Sequence, residues 1–419
     1  MNVADSERLA AYMESNGYTL AADENHAAVV IITTCGIRQS AEDRAYGIVN
    51  QLKKKNKKAV VILTGCLSER QDVKKRLRGK VDIWLSVIEM NTLMAKIEKV
   101  SPAADFKVDP RDYLKIAPKY QSSFTAYVPI GNGCNNFCSY CVVPYARGRE
   151  VYRSAAEIIK EVKDLLRRGF REINLIAQNV NSYKSGTVDF PQLLQKVNDL
   201  PGDFWLRFSS SHPKDMSLDL IKTMGKCAKL CEHVHLAVQS GDDEILTAMN
   251  RRYTAEHYQN LIVKIRKVLD KRLTVPAAIT TDVIVGFPGE TVAQFKNTLK
   301  LFRATKFDLA YISKYSPRYG TVSSKMTDNL SLDVKKTREK ELSLLLRKTA
   351  LANNKKYINK IVDVLIEGRN RRGDLYGKTR TYKFVTSPDL KKHSDDLVGQ
   401  IVKIKIKKVK DFGLEGELV

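Results

Sequence analysis

The alternation of apolar and polar positions divides the chain into stretches of different character. In residues 1 to about 100, helical and strand patterns take turns. Asp5-Ser6-Glu7 opens an amphipathic stretch that ends near Gly17, and Ala27 to Ile32 is a continuous apolar strand. Ala41 to Lys55 reads as a helix, and Ala59 to Leu63 as a second apolar strand. Apolar strands separated by a helix predict a parallel sheet covered on both faces. Residues 101 to 122 carry Pro102, Pro110 and Pro118 among polar neighbours and read as a linker.

From about 123 to 330 the strand-then-helix pattern repeats. Strands are expected over Glu172 to Ala177, Trp205 to Phe208, His233 to Val238, Ala277 to Val285 and Leu309 to Tyr315. Helices such as Ala155 to Arg168 and Phe190 to Val197 lie between them. The series predicts a full or partial α/β barrel, whose chemistry sits at the carboxyl ends of its strands. Leu332 to Lys356 reads as a long charged helix whose apolar positions serve packing. The C-terminal residues then switch to period two. Ile361 to Glu367, Tyr376 to Val385 and Ile401 to Val409 predict a small all-β unit. In the last of these, Val402, Ile404 and Ile406 alternate with Lys403, Lys405 and Lys407, so one face buries while the other presents three ammonium groups. A small barrel with a basic face suits oligonucleotide binding. A protected edge strand is the other origin of such a stripe.

Length and charge sharpen this picture. The 419 residues suffice for two or three domains with real cores. Seven cysteines are too few for a disulfide scaffold, which favours a reducing compartment. No basic-then-apolar leader opens the chain and its apolar runs are only strand-length, so a cytoplasmic protein without a membrane span is expected. Lys and Arg number 71 against 47 Asp and Glu, a net charge of +24 that suits a polyanionic partner, most simply nucleic acid.

The chemistry concentrates in Gly133-Cys134-Asn135-Asn136-Phe137-Cys138-Ser139-Tyr140-Cys141. Three thiols at C-x3-C-x2-C spacing on one loop can hold three corners of a [4Fe–4S] cube and leave one iron open to a substrate. A ferredoxin or a structural zinc knuckle supplies four ligands instead. Cys35 and Cys66 both close predicted strands, where parallel sheets place their ligand sites; two structural thiols are the alternative. Gln178, Asn179, Gln239, Ser240 and Gly241 also fall at strand ends and could touch a small-molecule cofactor or a base. Tyr145, Arg147 and Arg149, just past the cysteines, suit a pocket wall and phosphate contacts, or merely pack the loop. No Ser–His–Asp set or H-E-x-x-H motif is visible.

The cysteine loop with Val142-Val143-Pro144-Tyr145-Ala146-Arg147-Gly148-Arg149-Glu150 resembles the radical S-adenosylmethionine (SAM) methylthiotransferases. Further segments agree in order. They include Thr33-Thr34-Cys35 with Arg38, Leu63-Thr64-Gly65-Cys66, Gln178 to Tyr183, Ser211-His212-Pro213, His235 to Gly241, Met249 to Thr254, Thr281 to Thr291 and Tyr315 to Arg318. Val142 to Val151 is most similar to the MiaB branch, the tRNA-2-methylthio-N6-dimethylallyladenosine synthases. The resemblance implies three domains, namely a methylthiotransferase domain over 1–118, a radical SAM core over 119–355 and a TRAM RNA-binding domain over 356–419. It implies two [4Fe–4S] clusters, one on Cys134, Cys138 and Cys141 that binds SAM, and an auxiliary one on Cys35 and Cys66. It also implies radical attack at C2 of an adenosine in the tRNA anticodon loop, followed by sulfur and methyl transfer. SAM contacts from Gln178, Asn179 and Gln239-Ser240-Gly241 would follow, as would RNA contacts from Tyr145, Arg147, Arg149, Lys403, Lys405 and Lys407. An electron donor such as flavodoxin or ferredoxin and a monomeric state are expected with it.

One departure stands out. The family opens with a segment similar to G-C-x-M-N-x-x-D-S-E, and this chain begins Met1-Asn2-Val3-Ala4-Asp5-Ser6-Glu7, two residues past the first auxiliary cysteine. A miscalled start or a truncated gene is the expectation. Cys227 and Cys231 read as core thiols rather than replacement ligands. The competing functions are methylthiolation of threonylcarbamoyl-adenosine in tRNA or of a ribosomal-protein aspartate, and an RNA-binding Fe–S protein that has lost catalysis.

Overall fold

The computed structural model describes residues 1–36, 39–98, 112–388 and 395–419. Arg38 and the prolines Pro102 and Pro110 of the expected linker lie outside the described residues. The N-terminal unit runs α1 (Asn2–Ser15), β1 (Val29–Thr34), α2 (Gln39–Lys55), β2 (Val60–Gly65) and β3 (Ile83–Leu85). Its strands pair in parallel in the order β1-β2-β3. Val61 and Leu63 pack on one face against Tyr46, Val49 and Leu52 of α2; Ile62 packs on the other beside Leu9 of α1. That two-sided burial explains why β2 is apolar at every position from Val60 to Leu63.

The central unit supplies six parallel strands: β4 (Thr125–Pro129), β5 (Glu172–Ile176), β6 (Trp205–Ser209), β7 (His233–His235), β8 (Ala278–Val285) and β9 (Leu309–Lys314). They form two sheets, β4-β5-β6 and β7-β8-β9, joined by single bridges Leu206 to Leu230 and Ser211 to Leu236. The result is an incomplete barrel with an open side between β9 and β4. Six helices pack around it: α3 (Ala155–Arg167), α4 (Phe190–Asn198), α5 (Leu218–Lys226), α6 (Asp243–Ala248), α7 (Ala255–Leu269) and α8 (Val292–Thr305). Local chemistry fixes three of their starts, because Ser154 with Glu157, Asp189 with Gln192 and Thr291 with Gln294 form reciprocal capping boxes. Ile158, Val162 and Leu165 then place the buried stripe of α3 at helical spacing. Alternate strand residues such as Ile173, Leu175, Leu206, Phe208, Ile279 and Val283 join these helices in one core.

The expected strand from His233 to Val238 stops at His235. Beyond it the chain makes only single bridges, and Gln239 takes a left-handed φ of 68° that ends any extended run.

A long helix, α9 (Leu332–Lys355), leads to a closed five-stranded barrel of β10 (Ile361–Arg369), β11 (Leu375–Thr379), β12 (Phe384–Ser387), β13 (Ile401–Lys410) and β14 (Gly413–Leu418). The expected strand over Tyr376 to Val385 is two strands. The break at Arg380–Lys383, with Tyr382 at φ 62°, plugs the amino-terminal mouth of the large barrel. There Tyr382 stacks on His233 with ring centroids 4.8 Å apart. Arg207 donates to the Thr379 and Arg380 carbonyls at 2.8 Å each and to Glu172 at 2.7 Å. Arg380 grips Glu232, and Lys383 reaches Asp308 at 2.6 Å. The interface is wired by buried charge as well as apolar contact. No helix among the described residues is long and apolar enough to cross a membrane.

Candidate active site at the carboxyl-terminal mouth

The cysteine loop follows β4 and lies over the open ends of the strands. Gly133 begins it at φ 81°, where a Cβ would sit 2.2 Å from the Arg149 carbonyl, so only glycine fits. The loop is clamped by the segment after α6. Ser139 donates from its backbone to the Met249 carbonyl at 3.0 Å and from its hydroxyl to that of Ala248 at 2.8 Å. The Asn250 amide reaches the carbonyls of Asn136 and Phe137 at 3.2 and 3.0 Å. Cys134 and Cys138 are buried and Cys141 half-buried. Burial pushes the Cys134 thiol up to about 11 and also raises Cys141, with Cys138 adding to the shift. Among the described residues no three His, Cys, Asp or Glu side chains converge as ligands of a single metal ion. A cube spreads its thiolates over different irons and asks for no such point.

Facing this loop is a patch of stranded polarity. Both amide atoms of Gln178, Asn179 Oδ1, Ser211 Oγ and His212 Nε2 are buried without a hydrogen-bond partner. All belong to the ends of β5 and β6. Buried polar atoms cost free energy unless something bonds them, and their cluster marks a ligand position. Asn179 is held by its other amide atom on Asp215 at 2.7 Å. His212 accepts at Nδ1 from the Lys214 backbone at 3.1 Å, which leaves a hydrogen on Nε2. Burial, with Arg251 and Lys214 nearby, drives its pKa down to about 2, so the ring is neutral. Its ring packs edge-on against Tyr253, 5.6 Å away. Desolvated thiols able to charge only beside a cation, next to unpaired donors and acceptors, fit a [4Fe–4S] cluster with SAM.

Gln239 borders this mouth, but Ser240 and Gly241 point elsewhere. Ser240 is fully buried against Thr298, and the Gly241 amide donates to the Thr298 hydroxyl at 3.0 Å. A Cβ at Gly241 would come within 2.6 Å of the Thr298 Cα. These two residues seat the turn on α8 and are removed from the expected SAM contacts. Arg147 is likewise corrected. Its guanidinium is 2% exposed, paired with Asp5 at 2.5 Å and bonded to Asn132 at 3.2 Å, so it cannot meet a phosphate. Tyr145 and Arg149 do face solvent, and Arg149 lies 4.6 Å from the Phe137 ring centre.

Cys35 and Cys66 come together at the ends of β1 and β2. A Cβ on Gly36 would lie 3.0 Å from both the Cys66 Cβ and a Val142 methyl, and Cys66 packs with Val142 and Ala146. The N-terminal thiols therefore adjoin the helical turn that begins just after Cys141. A buried ion network fastens this arrangement: Glu42 accepts from Arg70 at 2.6 Å and from Arg318 at 2.9 Å. Cys227 and Cys231 are core thiols at the far end, 0% and 1% exposed.

Along the open edge of β9 runs a cleft of about 880 Å³ that reaches from Gln39 and Ser40 past Lys314 and Arg318 to Arg347 and Phe412, touching all three units. On the small barrel, β13 pairs with β10 and β14 on its two sides, so the edge-strand reading of the Lys stripe fails. Lys403 and Lys407 are exposed but paired, with Asp363 at 3.3 Å and Glu417 at 2.8 Å; Lys405 is half-buried. The sequence motifs already contained His212, Asn250, Arg251 and Tyr253 without a role, since unmet hydrogen bonds are invisible before folding.

Residues 128–302 match the radical SAM superfamily, 1–86 an uncharacterized protein family designated UPF0004, and 355–419 the TRAM domain. A tRNA-2-methylthio-N(6)-dimethylallyladenosine synthase of Clostridium novyi is 39% identical over 435 aligned residues, covering 100% of this chain and 94% of the relative. A synthase of the same name from Clostridium tetani is also 39% identical with the same coverage. In fold the chain is similar to the radical S-adenosylmethionine methyltransferase TsrM of Kitasatospora setae, with a TM-score of 0.54 at 14% identity over 77% of this chain and 73% of that one. The chain belongs to the tRNA-2-methylthio-N(6)-dimethylallyladenosine synthase family, and it is a radical SAM methylthiotransferase that uses SAM and a [4Fe–4S] cluster.

Proposed function

We propose that this enzyme converts N6-isopentenyladenosine in a tRNA anticodon loop, at position 37, to its 2-methylthio derivative. The observation that carries the reading is the adjacency of Cys66 to the turn after Cys141, which would put a sulfur donor held by Cys35 and Cys66 beside a SAM-binding cluster on Cys134, Cys138 and Cys141. Cys134, Cys138 and Cys141 would hold the SAM-binding cluster, and Cys35 and Cys66 would contribute to an auxiliary cluster. When bound, these groups supply a carbon-centred radical and a transferable sulfur.

The chain's own residues bind and orient. The His212 Nε2–H and Ser211 hydroxyl offer donors to the SAM carboxylate or ribose, while Gln178 and Asn179 offer both donors and acceptors. The Asp5–Arg147 pair fixes α1 to the turn that carries Val142 and Ala146, so the two cysteine sets keep a constant separation. The Glu42–Arg70–Arg318 network ties the same N-terminal unit to the end of β9. Tyr145 and Arg149 flank the Phe137 ring and face solvent at the mouth, where a splayed base would stack and a phosphate would pair. The cleft beside β9 gives an anticodon loop access from the open side of the barrel. Flavodoxin or ferredoxin would supply the electron to a monomeric enzyme in the cytoplasm.

Nucleoside mass spectrometry on tRNA from a methylthiotransferase-deficient host expressing this chain tests the reading. Appearance of 2-methylthio-N6-isopentenyladenosine supports it. If the product is absent both with the chain as it stands and with a Gly-Cys-Xaa extension before Met1, while unmodified ribosomal protein or threonylcarbamoyl-adenosine gains the group, the proposed substrate is wrong.

A further inference from the structure

Arg251 is a buried cation with no acidic partner. It is 6% exposed, and among the described residues no ion pair to a carboxylate includes it. Burying an unpaired charge is costly unless an anion or strong acceptors compensate. Its neighbours are the Tyr253 hydroxyl at 2.7 Å, the Ala237 carbonyl, and the Cys138 Sγ, to which Nη1 donates at 3.7 Å. The tyrosine is itself committed, donating to the Val238 carbonyl at 2.8 Å. Among the described residues, the one group in contact with Arg251 that becomes a full anion when the site is loaded is the Cys138 thiolate. The clamp described above, from Ala248 to Asn250, holds the cysteine loop against this guanidinium, so the contact is built into the backbone.

We propose that Arg251 is the counter-charge of the SAM-binding cluster: held against Cys138, its guanidinium stabilises the extra electron of the reduced state and raises the cluster's reduction potential. Hydrogen bonds to cluster sulfurs and nearby net charge are the levers by which proteins set such potentials. A permanent cation at this distance acts in a site that excludes water, where screening is weak. Arg suits the task better than Lys, since its fork bonds the tyrosine, the carbonyl and the sulfur together.

The inference rests on Cys134, Cys138 and Cys141 being the ligands, and the experiment separates the two claims. The parent enzyme, Arg251→Gln, Arg251→Lys and Cys138→Ala are reconstituted with iron and sulfide. Iron content is measured first, then the midpoint potential of the cluster by redox titration followed by electron paramagnetic resonance. Arg251→Gln should lower the potential so that the reduced fraction at a fixed low potential falls about tenfold, which is about 59 mV for one electron. Arg251→Lys should stay within about threefold of the parent. An Arg251→Gln potential equal to the parent's overturns the counter-charge. So does a Lys variant shifted as far as Gln, since a purely structural arginine would make both equally damaging. Should Arg251→Gln take up no iron, Arg251→Lys carries the test alone: normal iron with a near-parent potential supports the proposal, and an empty or strongly shifted Lys variant overturns it. Cys138→Ala that retained the whole SAM-binding cluster would instead overturn the ligand assignment.

Discussion

The barrel has two mouths, and both are lined with buried polar side chains. At the amino-terminal mouth every major charge has found its partner. Arg207 bonds Glu172 and two carbonyls of the small barrel, Arg380 bonds Glu232, and Lys383 bonds Asp308. At the carboxyl-terminal mouth Gln178, Asn179, Ser211 and His212 keep unmet donors and acceptors, and Arg251 leans on a thiol. Polarity alone therefore does not mark a site. What separates the plug from the active centre is satisfaction: a finished network stabilises, and an unfinished one waits for a ligand.

The largest effect should come from emptying the unfinished mouth of its metal-binding chemistry. Cys138→Ala is expected to abolish formation of 5′-deoxyadenosine from SAM under reducing conditions, read by chromatography, while urea unfolding of the metal-free protein moves little. Residual cleavage at the parent rate would show that this loop does not hold the reactive cluster. At the finished mouth the same size of change should spare the chemistry and cost stability. Glu172→Ala strands the Arg207 guanidinium, and breaking one side of a buried pair costs about 3–5 kcal/mol. The check is the urea midpoint together with SAM affinity. A stable variant, or one whose affinity for SAM collapses, would dissolve the distinction between the mouths.

Each mouth also holds a histidine kept neutral by burial. His212 is lowered to about 2, with Arg251 and Lys214 adding to desolvation; His233 is pushed well below the ordinary range, with Arg207, His235 and Lys383 adding to it. In the unfolded chain each takes a proton near pH 6.5, so there the unfolded state binds more protons and stability rises with pH. The contribution is complete above pH 6.5 and is lost progressively below it, by about 1.4 kcal/mol per pH unit for one group. Between pH 6.5 and 5 each histidine should therefore cost the folded state roughly 2 kcal/mol. His212→Gln should flatten that acid slope and lower the neutral-pH midpoint only by what the edge-on Tyr253 contact and the Lys214 backbone bond contribute. His233→Gln should flatten it too, yet also lower the midpoint at every pH, because it loses the stack on Tyr382. Unfolding midpoints at four pH values distinguish these outcomes, and an unaltered slope in His212→Gln would mean that its ring is protonated in the fold.

The sequence made much of this legible, and for physical reasons. Cys134, Cys138 and Cys141 are readable because ligand spacing on one loop is a local property. The strands of the barrel are readable because alternate residues such as Ile173, Leu175, Leu206 and Phe208 are written apolar by the core they enter. Arg147 misled, since an arginine two turns from a cluster looks like a phosphate contact until Asp5, far away in the chain, is seen to neutralise it. Ser240 and Gly241 misled in the same way, their partner being Thr298 on another helix. The plug was hidden because Tyr376 to Val385 reads as one strand; only the docking of Tyr382 into the barrel gives the break a purpose. Long-range pairing decides all three, and pattern along the chain does not carry it.

The smallest change asks the most of the comparison, because it should act with opposite signs on fold and function. Gln178 is half-buried as a residue, but both amide atoms are cut off from water and bonded to nothing. In the metal-free, SAM-free protein they are a standing cost, and replacing them by a thioether of similar volume removes it. Gln178→Met should raise the urea unfolding free energy by about 1 kcal/mol. The same exchange deletes a donor and an acceptor from the SAM pocket and should weaken SAM binding to the cluster-loaded enzyme about tenfold, roughly 1.4 kcal/mol. Equilibrium dialysis reads the second quantity independently of turnover. At the other mouth Asn174, which bonds Glu172 at 2.9 Å, should behave in the opposite way, losing stability on the equivalent exchange to Leu and leaving SAM affinity alone. If Gln178→Met destabilised the fold instead, its amide would already be satisfied, and the carboxyl-terminal mouth would be as finished as the plugged one.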